Sequence, residues 1–392
     1  MLKNPEIINT LDRVDWDFLN SKPPINTVHS FHWFPGNFIP QIPAYFVQLL
    51  SEPGELVCDP FCGSGTTGVE ALRLRRRAWL SDLNRASIQV TRGKIAAIVN
   101  PQVRKDLEYL LRDLVWDSML HTQKVGKDSE GSNPELCFWL HEDTLTQLRY
   151  LWQLVEASPY CDLRFCLEVI FSDVLFACAS VRGAATSSGG RRRHHWGWIA
   201  DNVRPQSLVR HNAIRLFRER VFHAVGVLRS EFTANRDSVT ITREDARALR
   251  IEPSTVDLVI TSPPYLGMID YALANRITYL WMGWPLKEER DLEIGARYRR
   301  KNQQVLIEYR RSMSIATSEV VKALRPGGYC ALVIGASRKF PEAVTHVIEL
   351  FSNNLTLIWG PRKRIPTRRR VSDRRGTAPT ECLCVFQKAV LS

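Results

Sequence analysis

The strongest constraint on this chain is a short apolar run, residues 55–58, that feeds directly into Asp59-Pro60-Phe61-Cys62-Gly63-Ser64-Gly65-Thr66-Thr67. Such a run between polar flanks reads as a buried strand. The glycines after it supply the backbone freedom that a tight strand-to-helix reversal needs. Residues 68–76 then read as a helix and 77–81 as a second strand ending at Asp82, which completes a β-α-β unit. Further strands are expected at 238–242, 256–261, 329–335 and 381–387, and a short helix at 44–50 after a series of turn-forming prolines. From Asn84 to about Arg236 the chain reads mainly helical, with segments at 101–120, 145–157 and 161–180 and polar breaks at 125–134 and 183–193. Alternating strands and helices argue for an α/β fold with a parallel sheet. In such a sheet the ligand site lies beyond the carboxyl ends of the strands. Two unusual turns, 59–67 and 262–265, occupy that position.

Gly63, Gly65 and Gly68 spell G-x-G-x-x-G, with Asp82 about 20 residues on, where a ribose-binding acid is expected. The same pattern serves nicotinamide and flavin sites, and it also occurs in bare strand-to-helix turns. Asp59 separates these readings: an anionic side chain at the strand mouth repels a pyrophosphate but suits a ligand carrying an amino group and a sulfonium. S-adenosylmethionine is such a ligand. No Gly-Lys-Ser/Thr ending follows, so a Walker A phosphate loop is excluded.

The second turn is Ser262-Pro263-Pro264-Tyr265, behind the apolar run 256–261. Consecutive prolines fix φ and withhold backbone donors. The Ser262 and Pro263 carbonyls are therefore expected to face the cleft as acceptors, beside the Ser262 hydroxyl and the Tyr265 ring. Acceptors next to a stacking ring suit an exocyclic amino group on a flat heterocycle.

The two turns together, residues 59–67 and Thr261-Ser-Pro-Pro-Tyr265, resemble the amino-group DNA methyltransferases, which methylate N6 of adenine or N4 of cytosine. The resemblance implies a Rossmann-like S-adenosylmethionine-dependent methyltransferase fold, a mostly parallel seven-stranded sheet, here with a large, mainly helical insertion. It implies a cofactor site of Phe34, Pro35, Asp59, Pro60, Phe61, Gly63, Ser64, Gly65, Thr66, Asp82 and Asp245. Ser262, Pro263, Pro264 and Tyr265 are the implied catalytic residues. It covers roughly residues 30–95 and 238–390. The expected organisation is a cofactor-binding part at 1–95, a helical insertion at 96–237 as a candidate target-recognition region, and a catalytic part at 238–392. Ser262, where adenine-directed members more often carry Asp or Asn, resembles the N4-cytosine subset. The chain has no Pro-Cys dipeptide, which sets aside methylation at carbon 5 of cytosine.

Composition agrees with this class. Lys and Arg number 53 against 41 Asp and Glu, a formal net charge of +12, and a polyanionic partner is expected. Arg191, Arg192 and Arg193 in a Ser/Gly-flanked loop, and Arg368, Arg369 and Arg370 in a segment with eight basic residues and one acid, are the candidate DNA contacts. A hydrophobic fraction of 44% excludes wholesale disorder. Nine cysteines without a repeating framework suit a reducing compartment. No apolar run reaches membrane-span length, and residues 1–13 lack a secretory signal. The expected setting is cytoplasmic, at the nucleoid, with double-stranded DNA as partner, a cognate restriction endonuclease as a possible second one, and no membrane or metal. Competing readings are an RNA amino-methyltransferase, a basic nucleic-acid-binding protein with a dead cofactor fold, and a nicotinamide oxidoreductase, which leaves the second turn unexplained.

Overall fold

The computed structural model describes residues 4–18, 26–37, 39–113, 133–179, 199–205, 207–335, 339–364 and 381–390. Helices α1 (Asn4–Arg13) and α2 (Gln41–Leu50) precede the β-α-β unit, which consists of β1 (Leu56–Asp59), α3 (Thr66–Arg73) and β2 (Arg77–Asp82). Gly68 is needed here for packing: a Cβ at this position would lie 2.2 Å from a Leu80 methyl, so α3 seats on β2 only without a side chain. The helix stops three residues before the expected Arg76. Arg75 takes a left-handed φ of 62°, and the Arg76 guanidinium is buried against the Leu74, Val47 and Ser51 carbonyls.

The helical stretch comprises α4 (Arg85–Val99), α5 (Pro101–Asp113), α6 (Glu142–Glu156), α7 (Cys161–Cys178) and α8 (Ala213–Leu228). Asn84 starts α4 by accepting from the Ala86 and Ser87 amides. α4 runs through residue 95, where the sequence divided core from insertion. At Gly93 it meets α7 so closely that a Cβ would sit 2.5 Å from the Phe165 carbonyl. The acids inside α7 line a polar seam: Asp173 accepts from Arg220 at 2.7 Å and from the Trp33 amide at 3.1 Å, and Glu168 accepts from Arg164 at 2.9 Å.

The remaining elements are β3 (Val239–Arg243), β4 (Val256–Thr261), α9 (Tyr271–Ala274), α10 (Arg276–Met282), α11 (Leu286–Leu292), α12 (Val305–Ala323), β5 (Leu324–Gly335), α13 (Ala343–Ser352), β6 (Thr356–Arg364) and β7 (Glu381–Gln387). Seven strands form one sheet in the order β3-β2-β1-β4-β5-β7-β6, with β7 antiparallel to both neighbours and the other pairs parallel. This is the Rossmann-like, mostly parallel seven-stranded sheet that the resemblance implies. Helices cover both faces, so its central strands are apolar on both sides. Val57, Leu80 and Leu258 belong to one hydrophobic cluster that includes α2 and continues into the helical insertion. Cys58, Trp79 and Val259 face α12 and α13. Cys382 and Cys384 are buried packing residues. Among the described residues no helix is long and apolar enough to cross a membrane.

Of the basic residues at 362–375, Arg362 and Lys363 are exposed on β6, and Arg364 is not available for phosphate contact. Arg364 belongs to β6, is buried, pairs with Glu381 and donates to the Trp16 carbonyl at 2.9 Å, so it is closed to solvent and to DNA. Arg191–Arg193 and Arg368–Arg370 lie outside the described residues.

From β1 the chain winds outward to β3 and then returns to place β4 on the other flank of β1. The carboxyl ends of β1 and β4 therefore diverge and open a crevice. One buried carboxylate ties them together: Asp59 accepts from Thr67 Oγ1 and Thr261 Oγ1, both at 2.6 Å, and from the Phe61 amide at 3.2 Å. Burial pushes its pKa up to about 6, against the pull of these donors. With the folded value above the unfolded one, Asp59 holds its proton more tightly in the native state; its contribution favours folding at low pH and is lost as pH rises through 6. The hydroxyl donors limit that loss by stabilising the ionised form. Thr261→Val is therefore expected to destabilise the protein by about 1–3 kcal/mol at pH 8 and by less at pH 5, as measured by urea denaturation at both values.

Candidate active site

The crevice is a cleft of about 830 Å³, open mouth included. Its floor is the turn after β1. Gly63 and Gly65 take φ of 52° and 75°, which aims the backbone at the cleft without a side chain in the way. The loop is held from three sides. Asp82 Oδ2 accepts the Gly63 amide at 2.9 Å, Thr91 Oγ1 donates to the Gly63 carbonyl at 3.1 Å, and Lys94 Nζ donates to the Ser64 carbonyl at 3.0 Å. Lys94 is fully buried, and burial lowers its pKa to about 7. Above the turn lies a strap, residues 34–37, in which Asn37 Oδ1 accepts from Ser64 Oγ at 2.6 Å.

Of the expected cofactor residues, Phe34, Pro35, Pro60, Phe61, Gly63, Ser64, Thr66, Asp82 and Asp245 line the cleft. Asp59 and Gly65 do not. The sequence reading gave Asp59 the task of facing a cationic ligand, but its lone pairs are committed to Thr67, Thr261 and Phe61 beneath the floor. The cleft's negative charge comes from Asp82 instead. Asp82 Oδ1 accepts the Asn84 amide at 2.8 Å, and burial pushes its pKa up to about 6, so it is ionised at neutral pH. Asp245, on the same side, is paired with Arg247.

Ser262 and Pro264 line the opposite wall; Pro263 is buried outside the lining. The Pro264 carbonyl accepts from Tyr309 Oη at 2.9 Å. Ser262 Oγ donates to Tyr265 Oη at 3.0 Å, and Tyr265 Oη donates to the Val333 carbonyl at 3.3 Å. The Tyr265 ring is not a free stacking platform. It lies over Gly335, where a Cβ would come within 2.3 Å of the ring, and it is absent from the cleft lining.

Sequence reasoning missed Tyr271, Glu293 and Ile294, which close the cleft on the β4 side. Glu293 accepts the Ala272 amide at 2.6 Å and the Tyr271 amide at 3.0 Å, holding the start of α9 in place. Burial raises its pKa to about 8, so at neutral pH it contributes little charge. Tyr271 packs on Gly36 of the strap, with its hydroxyl 3.2 Å and its ring 3.3 Å from the position a Cβ would take. Asn37 and Asn84 are further lining residues; the first sits inside the segment singled out from sequence, whereas Glu293 carries no local signal at all. Among the described residues no group of three His, Cys, Asp or Glu side chains could hold a metal ion.

Comparison with known proteins points the same way. A family model described as a DNA methylase matches residues 13–92. The chain is 22% identical over 276 residues to the Type II methyltransferase M.MvaI of Kocuria varians, covering 67% of this chain and 59% of that protein. It is also 22% identical over 378 residues to the Type II methyltransferase M.MjaII of Methanocaldococcus jannaschii, covering 76% and 70%. The chain thus spans less than two thirds of the length of M.MvaI. Among solved structures, TrmN from Thermus thermophilus aligns over 93% of this chain and 52% of its own, with a TM-score of 0.35 and 13% identity. The segment matched by the family model contains the strap, the glycine turn and Asp82.

Proposed function

We propose that this chain is an S-adenosylmethionine-dependent amino-methyltransferase acting on duplex DNA, with N4 of cytosine as the acceptor. The observation that carries this reading is that Asp82, which holds the glycine turn through the Gly63 amide, and Ser262 line one cleft, and that the glycine turn and the Ser262 turn are joined by the Asp59–Thr261 hydrogen bond. The cleft fits the cofactor: the Asp82 carboxylate sits next to a glycine turn with no Lys or Arg among the described lining residues, and Phe34, Phe61 and Ile294 offer apolar cover for an adenine.

When bound, the cofactor supplies a sulfonium-activated methyl group: the carbon–nitrogen bond forms as the carbon–sulfur bond breaks, and the electron pair returns to sulfur. The chain's own residues prepare the nitrogen. An exocyclic amine is a weak nucleophile because its lone pair is delocalised into the ring. Ser262 Oγ gives its proton to Tyr265, so its lone pairs remain to accept an amino N–H and stabilise the charge developing on nitrogen. Tyr265 in this arrangement orients Ser262. The proton released after transfer passes to solvent through the open mouth. A base within a duplex cannot reach the cleft, so it must be flipped out.

Ser262 in place of an acid or amide favours cytosine N4; N6 of adenine is the second reading. The helical region 96–237 is the proposed seat of target recognition, and a restriction endonuclease of the same specificity belongs to the proposal.

Two outcomes are expected. Labelled methyl groups should pass from S-adenosylmethionine to duplex DNA, with nucleoside analysis of the product returning N4-methylcytosine. Ser262→Ala should lower kcat by about 100-fold or more while leaving cofactor affinity within a factor of about two; label found only in RNA would overturn the reading. Cofactor affinity should also depend on pH. Asp82 is the better acceptor when ionised and titrates at about 6, so S-adenosylhomocysteine should bind more weakly as pH falls from 7.5 to 5.5. Asp82→Asn should cost about 10-fold or more at pH 7.5 and flatten the dependence. Calorimetry showing equal affinity at both pH values in the wild type would remove Asp82 from the site.

A further inference from the structure

Beside the catalytic turn stands a basic segment that the sequence did not single out. Residues 297–301, Arg-Tyr-Arg-Arg-Lys, form a short helical turn packed against the loop after Tyr265. The Gly267 amide donates to the Gly295 carbonyl at 2.8 Å, and the Tyr298 amide donates to Asp270 Oδ1 at 3.0 Å. A Cβ on Gly267, two residues past Tyr265, would lie 3.5 Å from the Arg300 Cβ. The segment is therefore fixed at the rim of the cleft.

Its cations fall into two groups. Arg297 is held by Asp201 at 3.0 and 3.3 Å, and Arg299 is spent on Tyr298 Oη and the Asp291 carbonyl, with Glu308 at 3.7 Å. These residues hold the turn together. Arg300 and Lys301 are exposed and, among the described residues, belong to no ion pair. Exposed Lys339 joins them by donating to the Arg300 carbonyl, a contact that neutralises no charge. Three exposed cations without a carboxylate partner among the described residues thus sit on one short segment and on the lysine bonded to it, a local excess of positive charge that suits an anion.

We infer that Arg300, Lys301 and Lys339 form a phosphate-binding ridge that grips the DNA backbone next to the flipped nucleotide. This rests on the methyltransferase reading above. A base seated at Ser262 carries its own phosphates on either side, and these must lie within about one nucleotide of the turn. The ridge stands there, and its hydrogen bonds to the catalytic loop fix its register. Duplex DNA is the partner the proposal commits to, because the ridge serves the DNA-methyltransferase reading; RNA is an outcome of the test.

The test is equilibrium binding of the full chain to a fluorescent duplex oligonucleotide over a range of salt concentrations. Arg300→Gln with Lys301→Gln is expected to lower the slope of log affinity against log salt by about 2, and Lys339→Gln by about 1. Both should weaken all duplex sequences alike and leave S-adenosylhomocysteine affinity unchanged. If the wild type methylates duplex DNA and the double variant keeps its salt slope, the ridge is wrong and the enzyme reading stands. If the wild type transfers no methyl group to DNA, or its ridge responds only to RNA, both fall.

Discussion

Asp59 is the joint on which the site depends. A carboxylate buried at the end of a central parallel strand must be given donors, because an unpaired buried charge is far more costly than a paired one. Its three donors come from three places: the Phe61 amide of its own turn, Thr67 in the first turn of α3, and Thr261 at the end of β4. Satisfying one side chain therefore aligns the glycine turn, the helix behind it and the neighbouring strand. Ser262 is the next residue after Thr261, so the position of its hydroxyl relative to the glycine turn follows from the same bonds. A hydrophobic residue at 59 could fill the space, yet it would leave both threonine hydroxyls without this acceptor and the two turns free to shift.

The charge around the cleft follows from burial more than from the count of acids. Asp82 titrates near 6 and Glu293 near 8, both raised chiefly by desolvation. At neutral pH one carboxylate is thus charged and the other largely neutral within the same cavity. Lys94 shows the complementary effect: burial beneath Ser64 brings it down to about 7, so it serves the turn as a hydrogen-bond donor without flooding the floor with positive charge. His32, behind the strap, is pushed to about 4 and stays neutral, bonded to Ser172, which in turn meets Thr278. The helical region is fastened to the strap and to α10 through these neutral contacts, while the anionic character is confined to the side where Asp82 stands.

What the sequence revealed was local chemistry. The β1–α3–β2 unit was legible because its strand, glycines and helix are consecutive, and β4 and β7 were legible because both are largely apolar runs. β6 was not. It is an edge strand, broken by register shifts and carrying Pro361 and a run of basic residues, so it reads as a surface loop. Edge strands need only one buried face and tolerate proline, which weakens the alternation that marks a strand. The site divides in the same way. The motif residues were found, but their orientations were not: Asp59 points beneath the floor, and Tyr265 lies on β5. Glu293 and Tyr271 reach the cleft from a segment whose path depends on distant contacts, among them Glu289 gripping Arg85, Arg243 and Tyr279.

Residues on either side of that segment explain how a turn made of prolines can be both rigid and correctly aimed. Prolines remove backbone donors, so the turn cannot hold itself by its own ladder. It is held by tyrosines: Tyr309 reaches up from α12 to the Pro264 carbonyl, and Tyr265 reaches across to the Val333 carbonyl at the end of β5. The same Tyr265 hydroxyl receives the Ser262 proton, so the direction of the hydrogen-bond chain runs from the cleft into the sheet. A chain of that polarity leaves acceptor lone pairs at its open end. An amino group entering the cleft meets an oxygen that can only accept, and the sheet, through a strand carbonyl, sets that preference.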